Sequence, residues 1–206
     1  MKTPETAAIT LVPGPGPSAP FTNLLQRGFL LPCRQAVTIA DLLRDLPGLD
    51  RSYLESTAQT IFVNSTAVDS IGHILLPGDT VALSGAMPGL AGAIFRRGGR
   101  HRCLRSTAHP LPPGPLPDER FVTIKLFNRI AAERGDAILA RGIMVRGHVL
   151  ARFLESRQAH IRTRIRTIRI RDRRADFREL LTLARNRPLL HLRLDRTYHL
   201  NPALRK

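Results

Sequence analysis

Val37-Thr38-Ile39-Ala40-Asp41-Leu42-Leu43-Arg44-Asp45-Leu46 carries apolar residues at 39, 42, 43 and 46. That is the i, i+3, i+4, i+7 spacing of a single helix stripe, with Asp41 and Arg44 turned away from it. Pro47-Gly48 ends the run. The stretch decides the fold because extended runs flank it on both sides. Upstream stand Ile9-Thr10-Leu11-Val12, stopped by the Pro-Gly alternation of residues 13–17, and Gly28-Phe29-Leu30-Leu31, stopped by Pro32. Downstream, Thr60-Ile61-Phe62-Val63 leads through the turn Asn64-Ser65-Thr66 into Ala67-Val68-Asp69. Pro77-Gly78-Asp79 then turns the chain into a last strand with Val81 and Leu83 alternating. One helix set among strands predicts an α+β fold.

The pattern recurs. Val122-Thr123-Ile124 repeats Ile9-Thr10-Leu11, and residues 139–145 repeat residues 25–31. Ala151-Arg152-Phe153-Leu154 repeats Ala40-Asp41-Leu42-Leu43, and Thr167–Asp176 repeats Thr60–Asp69. The offsets are 113, 114, 111 and 107, in one unbroken order. Repetition at this length points to duplication of a domain, not to a solenoid. The expected organisation is a first module at 7–99, a linker at 100–120 stiffened by Leu111–Pro117, and a second module at 121–206.

Charge divides the chain in the same place. Residues 1–99 hold seven Lys/Arg and seven Asp/Glu, so the whole net charge of +16 lies beyond residue 99. The two halves therefore face different electrostatic tasks. Two cysteines without a CxxC pair make no disulfide framework and suit a reducing compartment. The early prolines interrupt any signal-peptide core, and no run approaches the length of a membrane span, so a soluble, cytoplasmic protein without membrane attachment is expected.

The first module resembles the ubiquitin-like β-grasp, in particular its sulfur-carrier branch, which includes the small subunit of molybdopterin synthase and the thiamine sulfur carrier. The resemblance rests on Val37–Leu46, the Ile61–Asp69 strand and turn, Leu75–Gly85 and the closing Gly98-Gly99. Ile94-Phe95-Arg96-Arg97-Gly98-Gly99 is also similar to the basic di-glycine tail of ubiquitin. The resemblance implies tandem β-grasp modules and a protein that is not itself an enzyme and needs no cofactor. It further implies an activation tail at Gly98 and Gly99, steered by Arg96 and Arg97, and an adenylating enzyme as partner. Glycine suits such a tail because residues without Cβ permit close backbone approach in a narrow channel. Because 107 residues follow Gly99, a processing protease would have to expose it.

A different function competes with this one. Arg162, Arg164, Arg166, Arg169, Arg171, Arg173 and Arg174 recur largely at spacings of two, which would set several on one strand face able to track phosphates or an acidic protein partner. No aromatic residue interleaves with them, so a stacking platform for single-stranded bases is not expected. His101, Cys103 and His109 with Cys33 fit no zinc spacing. No GxSxG, P-loop or HExxH motif is present.

Overall fold

The computed structural model describes residues 6–14, 19–105 and 120–196. The chain is mixed α+β. Its first half runs β1 (Ala7–Pro13), α1 (Ala19–Arg27), β2 (Phe29–Pro32), β3 (Val37–Thr38), α2 (Ile39–Leu43), α3 (Arg51–Thr57), β4 (Thr60–Val63), β5 (Thr66–Val68), β6 (Ile74–Leu75), β7 (Thr80–Ser84) and α4 (Gly89–Phe95), followed by a 3-10 turn at Arg100–Leu104. The second half runs β8 (Phe121–Phe127), α5 (Asn128–Arg141), β9 (Ile143–Arg146), α6 (Gly147–Ser156), α7 (Gln158–Arg164), β10 (Ile165–Ile170), β11 (Arg173–Ala175), α8 (Phe177–Asn186) and β12 (Leu189–Leu194). Among the described residues, no helix is long and apolar enough to cross a membrane.

The repeat seen in sequence recurs in the backbone. Gly28 and Gly142, 114 residues apart, sit at φ 111° and 101°. Each ends a helix by donating its N–H to the carbonyl four residues earlier, Leu24 and Ile138, as a left-handed residue after a helix does. The β4–β5 and β10–β11 hairpins share one register at an offset of 107: Ile61 faces Val68, and Ile168 faces Ala175. Both turn on two left-handed residues, Asn64-Ser65 and Arg171-Asp172. That is the type I′ geometry whose twist matches the flanking strands.

The compact units do not follow the expected boundaries. One unit comprises residues 1–29 and 136–206, the other residues 30–135. In the first unit the strand order is β11-β10-β1-β12-β9. β1, expected to open the first module, lies between two strands of the second half, antiparallel to β10 and parallel to β12. Ile9, Leu11, Ile168, Leu190, Leu192 and Leu194 alternate onto one buried face. α6 and α8 pack together on this side, burying Leu150, Phe153, Leu154, Leu180 and Ala184.

In the second unit the order is β2-β8-β7-β4-β5, and β8, expected to open the second module, runs parallel to β7. The exchange is reciprocal: each first strand lies parallel to the last strand of the other half. Its physical reason is the repeat itself. Ile9-Thr10-Leu11 and Val122-Thr123-Ile124 present the same one-sided apolar alternation, so either strand fills either place.

Local chemistry fixes the ends. α2 is shorter than its apolar stripe: Thr38 caps it by accepting from the Asp41 N–H, and Pro47 disfavours helical backbone at Leu46. Ile39, Leu43 and Leu46 are buried as expected, and Leu42 is half-buried. At the Pro-Gly-Asp turn, the Asp79 carboxylate accepts from the Leu76 N–H and the Asn64 amide, both at 2.7 Å. That couples the turn to the β4–β5 hairpin.

Candidate nucleic-acid interface

The di-glycine segment, expected as a projecting tail, is folded into the 30–135 unit. Residues 89–95 form α4, and the Phe95 ring lies 5.2 Å from that of Phe62. Arg97 donates to the carbonyls of Leu54, Ala58 and Asp69. The Gly98 N–H reaches the Asp69 carboxylate at 3.1 Å, and the Gly99 N–H reaches the Arg96 carbonyl at 3.0 Å. Arg96 donates to the Gln59 side chain. Arg105 closes the arrangement with a 2.9 Å ion pair to Asp69 and hydrogen bonds to the Ile94 and Arg96 carbonyls. Partial burial works against the Asp69 charge, but the bonds from Arg105 and Gly98 outweigh it and hold the carboxyl below its ordinary range. The expected linker thus begins as ordered structure up to Arg105. Its proline-rich part and His109 lie outside the described residues.

The seven arginines of the second half do not form the single strand face expected from their spacing. Arg162 and Arg164 lie on α7, where two residues apart means opposite sides of a helix. Arg166 and Arg169 stand on opposite faces of β10, because an odd separation switches faces. Arg171 occupies the hairpin turn. Arg173 pairs with Glu179 at 3.1 Å.

Register brings a different set together in the 1–29/136–206 unit. On the sheet face away from α6 and α8, Arg174 is directly opposite Arg169, Arg169 is opposite Thr10, and Thr10 is opposite Arg193. One step along, His191 faces Ala8 on one side and Met144 on the other, and Leu189 faces Arg146. Ala8, Arg174 and Arg193 are exposed, and Thr10, Arg146, Arg169 and His191 are partly so. No carboxylate occupies these strand positions. The row from Arg193 to Arg174 crosses three interstrand gaps, about 14 Å. Like charges placed directly across a ladder, as in Arg169 and Arg174, destabilise a sheet. Such a row is a cost to the free protein that an anionic ligand removes.

His191 sits among these cations with its ring against Gly142, where an added Cβ would come within 2.5 Å of the ring. Burial, then the charges of Arg193 and Arg141, push its pKa below the ordinary histidine value. Arg146, Arg193, His191 and Thr10 escaped the sequence reading. Their signal was the period-two alternation of residues 189–194, in which His191 and Arg193 interrupt the leucines. No protein-family model, no curated protein and no solved structure matches the chain.

Proposed function

We propose that this protein is a non-covalent binding protein whose basic unit docks on the phosphate backbone of nucleic acid through the open face of its sheet. One observation carries the proposal: Arg174, Arg169 and Arg193 in a single cross-strand row, with Arg146 on the same face. Each guanidinium offers a planar fork matched to phosphate oxygens. Among the described residues the face has no aromatic anchor of the kind that dominates protein–protein hot spots, which favours nucleic acid over an acidic protein. For the same reason it offers no stacking platform, so contact is to backbone and is insensitive to base sequence.

The sulfur-carrier proposal draws support from the hairpins and helix-ending glycines that the two halves share, but in each half a helix, α1 or α5, stands between the first two strands, where the β-grasp order has two consecutive strands. It would need Gly98-Gly99 as the end of a free arm, released by a processing protease and handed to an adenylating enzyme. The anchoring of Arg97, Gly98 and Gly99 makes it the weaker of the two.

The test is fluorescence anisotropy of a labelled duplex with the full chain. Reversing charge at Arg169→Glu and Arg193→Glu should abolish binding, whereas Arg51→Glu, on the neutral half, should leave it intact. Undiminished binding by the double variant would reject the proposal.

A further inference from the structure

We infer that the open sheet face of the 30–135 unit holds a binding site for a small aromatic carboxylate. None of its residues belongs to the arginine row, and the inference does not rest on the nucleic-acid proposal.

Alternation along β4, β7 and β8 sends Ile61, Val81, Leu83, Ile124 and Leu126 to the buried face of this sheet. It sends Phe62, Ala82, Ser84, Lys125 and Phe127 to the other. Phe62 is opposite Ala82, and Ala82 is opposite Lys125; one step along, Ser84 is opposite Phe127. Phe62, Ala82, Ser84, Met87, Phe127 and Asn128 line a cavity of about 280 Å³. Its walls are set in advance. The Phe95 ring packs against that of Phe62, the two planes tilted by 59°, and so holds Phe62 from the side of α4. Met87 is fixed through Gly92, where an added Cβ would overlap the Met87 carbonyl oxygen. A glycine inside a helix costs stability, and here it permits the close approach of that loop.

The lining is apolar except for one hydroxyl and one amide, the usual make-up of a small-molecule site. The Asn128 amide donates to Ser84 Oγ at 2.9 Å, so the Ser84 hydroxyl keeps its hydrogen to donate. Lys125 is partly exposed on the same face, directly across the ladder from Ala82 and two residues before Phe127. It is the only lysine among the described residues, and among them its ammonium has no hydrogen bond or ion pair. No Asp or Glu occupies the strand positions of this face.

An unpaired ammonium beside an apolar cavity that also offers a hydroxyl donor is complementary to a ligand with an apolar body and one anionic end. The two donors match the two oxygens of a carboxylate. Two phenyl rings and a thioether favour an aromatic body, which gains edge-to-face and sulfur–ring contacts. Such a body also loses less internal rotation on binding than a fatty chain does. A cavity of about 150 Å³ takes benzene, so this one has room for two fused rings.

The experiment titrates the full chain by calorimetry with 2-naphthoate, with 2-naphthalenemethanol, which has the same rings but no charge, and with octanoate. 2-Naphthoate should bind about tenfold more tightly than either of the others, the scale of one charge-assisted hydrogen bond. Lys125→Gln should bring 2-naphthoate down to the affinity of the alcohol and leave the alcohol unchanged, and Lys125→Arg should retain most of the preference. Ala82→Phe, which fills the cavity, should abolish binding of both naphthyl probes. Reductive methylation with ¹³C-formaldehyde gives the lysines separate NMR signals. That of Lys125, identified by its loss in Lys125→Arg, should move on adding 2-naphthoate while those of Lys2 and Lys206 stay. Equal binding of 2-naphthoate and the alcohol, or a preference that survives Lys125→Gln, would overturn the site. Tighter binding of octanoate would also overturn it and mark a fatty-chain groove instead. Failure of all three probes to bind would overturn it too, leaving the cavity as a contact for a protein partner's apolar side chain.

Discussion

Deleting β1 should unfold the basic unit, although every arginine of that unit would remain. Residues 120–206 contain β8 to β12, the whole of the expected second module. In the structure, however, β10 and β12 do not pair with each other; β1 lies between them. Ile9, Leu11 and Val12 are each 1–2% exposed. Burying such side chains contributes about 1.5–3 kcal/mol apiece, so the three together contribute about 5–9 kcal/mol. Extended-chain references make this an upper estimate. Total stabilities run to about 5–15 kcal/mol, so the loss consumes most or all of it before lost ladder bonds are considered. Those bonds include Arg171 N–H to the Ala8 carbonyl and Asp195 N–H to the Leu11 carbonyl. Urea unfolding followed by far-UV circular dichroism would compare 120–206 with a permuted chain that joins 136–206 to 1–29. The permuted chain should unfold cooperatively, and 120–206 should show no transition. In the intact protein, Leu11→Ala should cost about 2–5 kcal/mol. A cooperative, stable 120–206 fragment would refute the strand exchange.

Three further outcomes follow from local chemistry. Asp69→Asn weakens the bonds that hold Arg105 and Gly98, at about 1–3 kcal/mol, and trypsin should then cut faster between Arg96 and Arg105. Because the Asp69 carboxyl is held below its ordinary range, its contribution is present above that range and disappears as pH falls through its folded value. His191 has the opposite chemistry but the same direction of loss. Its folded pKa is lowered, so the unfolded chain takes up the proton first and stability falls as pH drops below about 6.5; His191→Gln should flatten that part of the stability profile. Replacing Arg171-Asp172, both left-handed, by Asn-Gly should raise stability by about 1–2 kcal/mol, measured by urea unfolding.

Much of the fold is legible locally. The apolar stripe of α2, the Pro-Gly-Asp turn and the β4–β5 hairpin follow from spacing and turn chemistry, and the repeat at offsets 107 and 114 reappears as matching hairpin register and matching helix-ending glycines. What local pattern cannot carry is partner choice between equivalent strands. Ile9-Thr10-Leu11 and Val122-Thr123-Ile124 satisfy the same site, so alternation is silent on which half receives which strand. The candidate interface was hidden for the same reason. Arg169, Thr10 and Arg193 are far apart in sequence and become neighbours only through β1's place between β10 and β12. Counting arginines located the basic half, but the spacing of two suggested one strand where the chain forms a helix, a strand, a turn and a second strand. The composition of the di-glycine segment does not reveal the carbonyls and the Asp69 carboxylate that hold it.

The most direct test of the nucleic-acid claim is the salt dependence of duplex binding by the full chain. Each phosphate contact adds about 0.9 to the slope of log affinity against log salt. Wild type should bind with a steep negative slope, and replacing both Arg169 and Arg193 by Ala should reduce its magnitude by about 2. Arg51→Ala should not change it. A slope near zero in wild type, or one unchanged by the double replacement, would contradict the account.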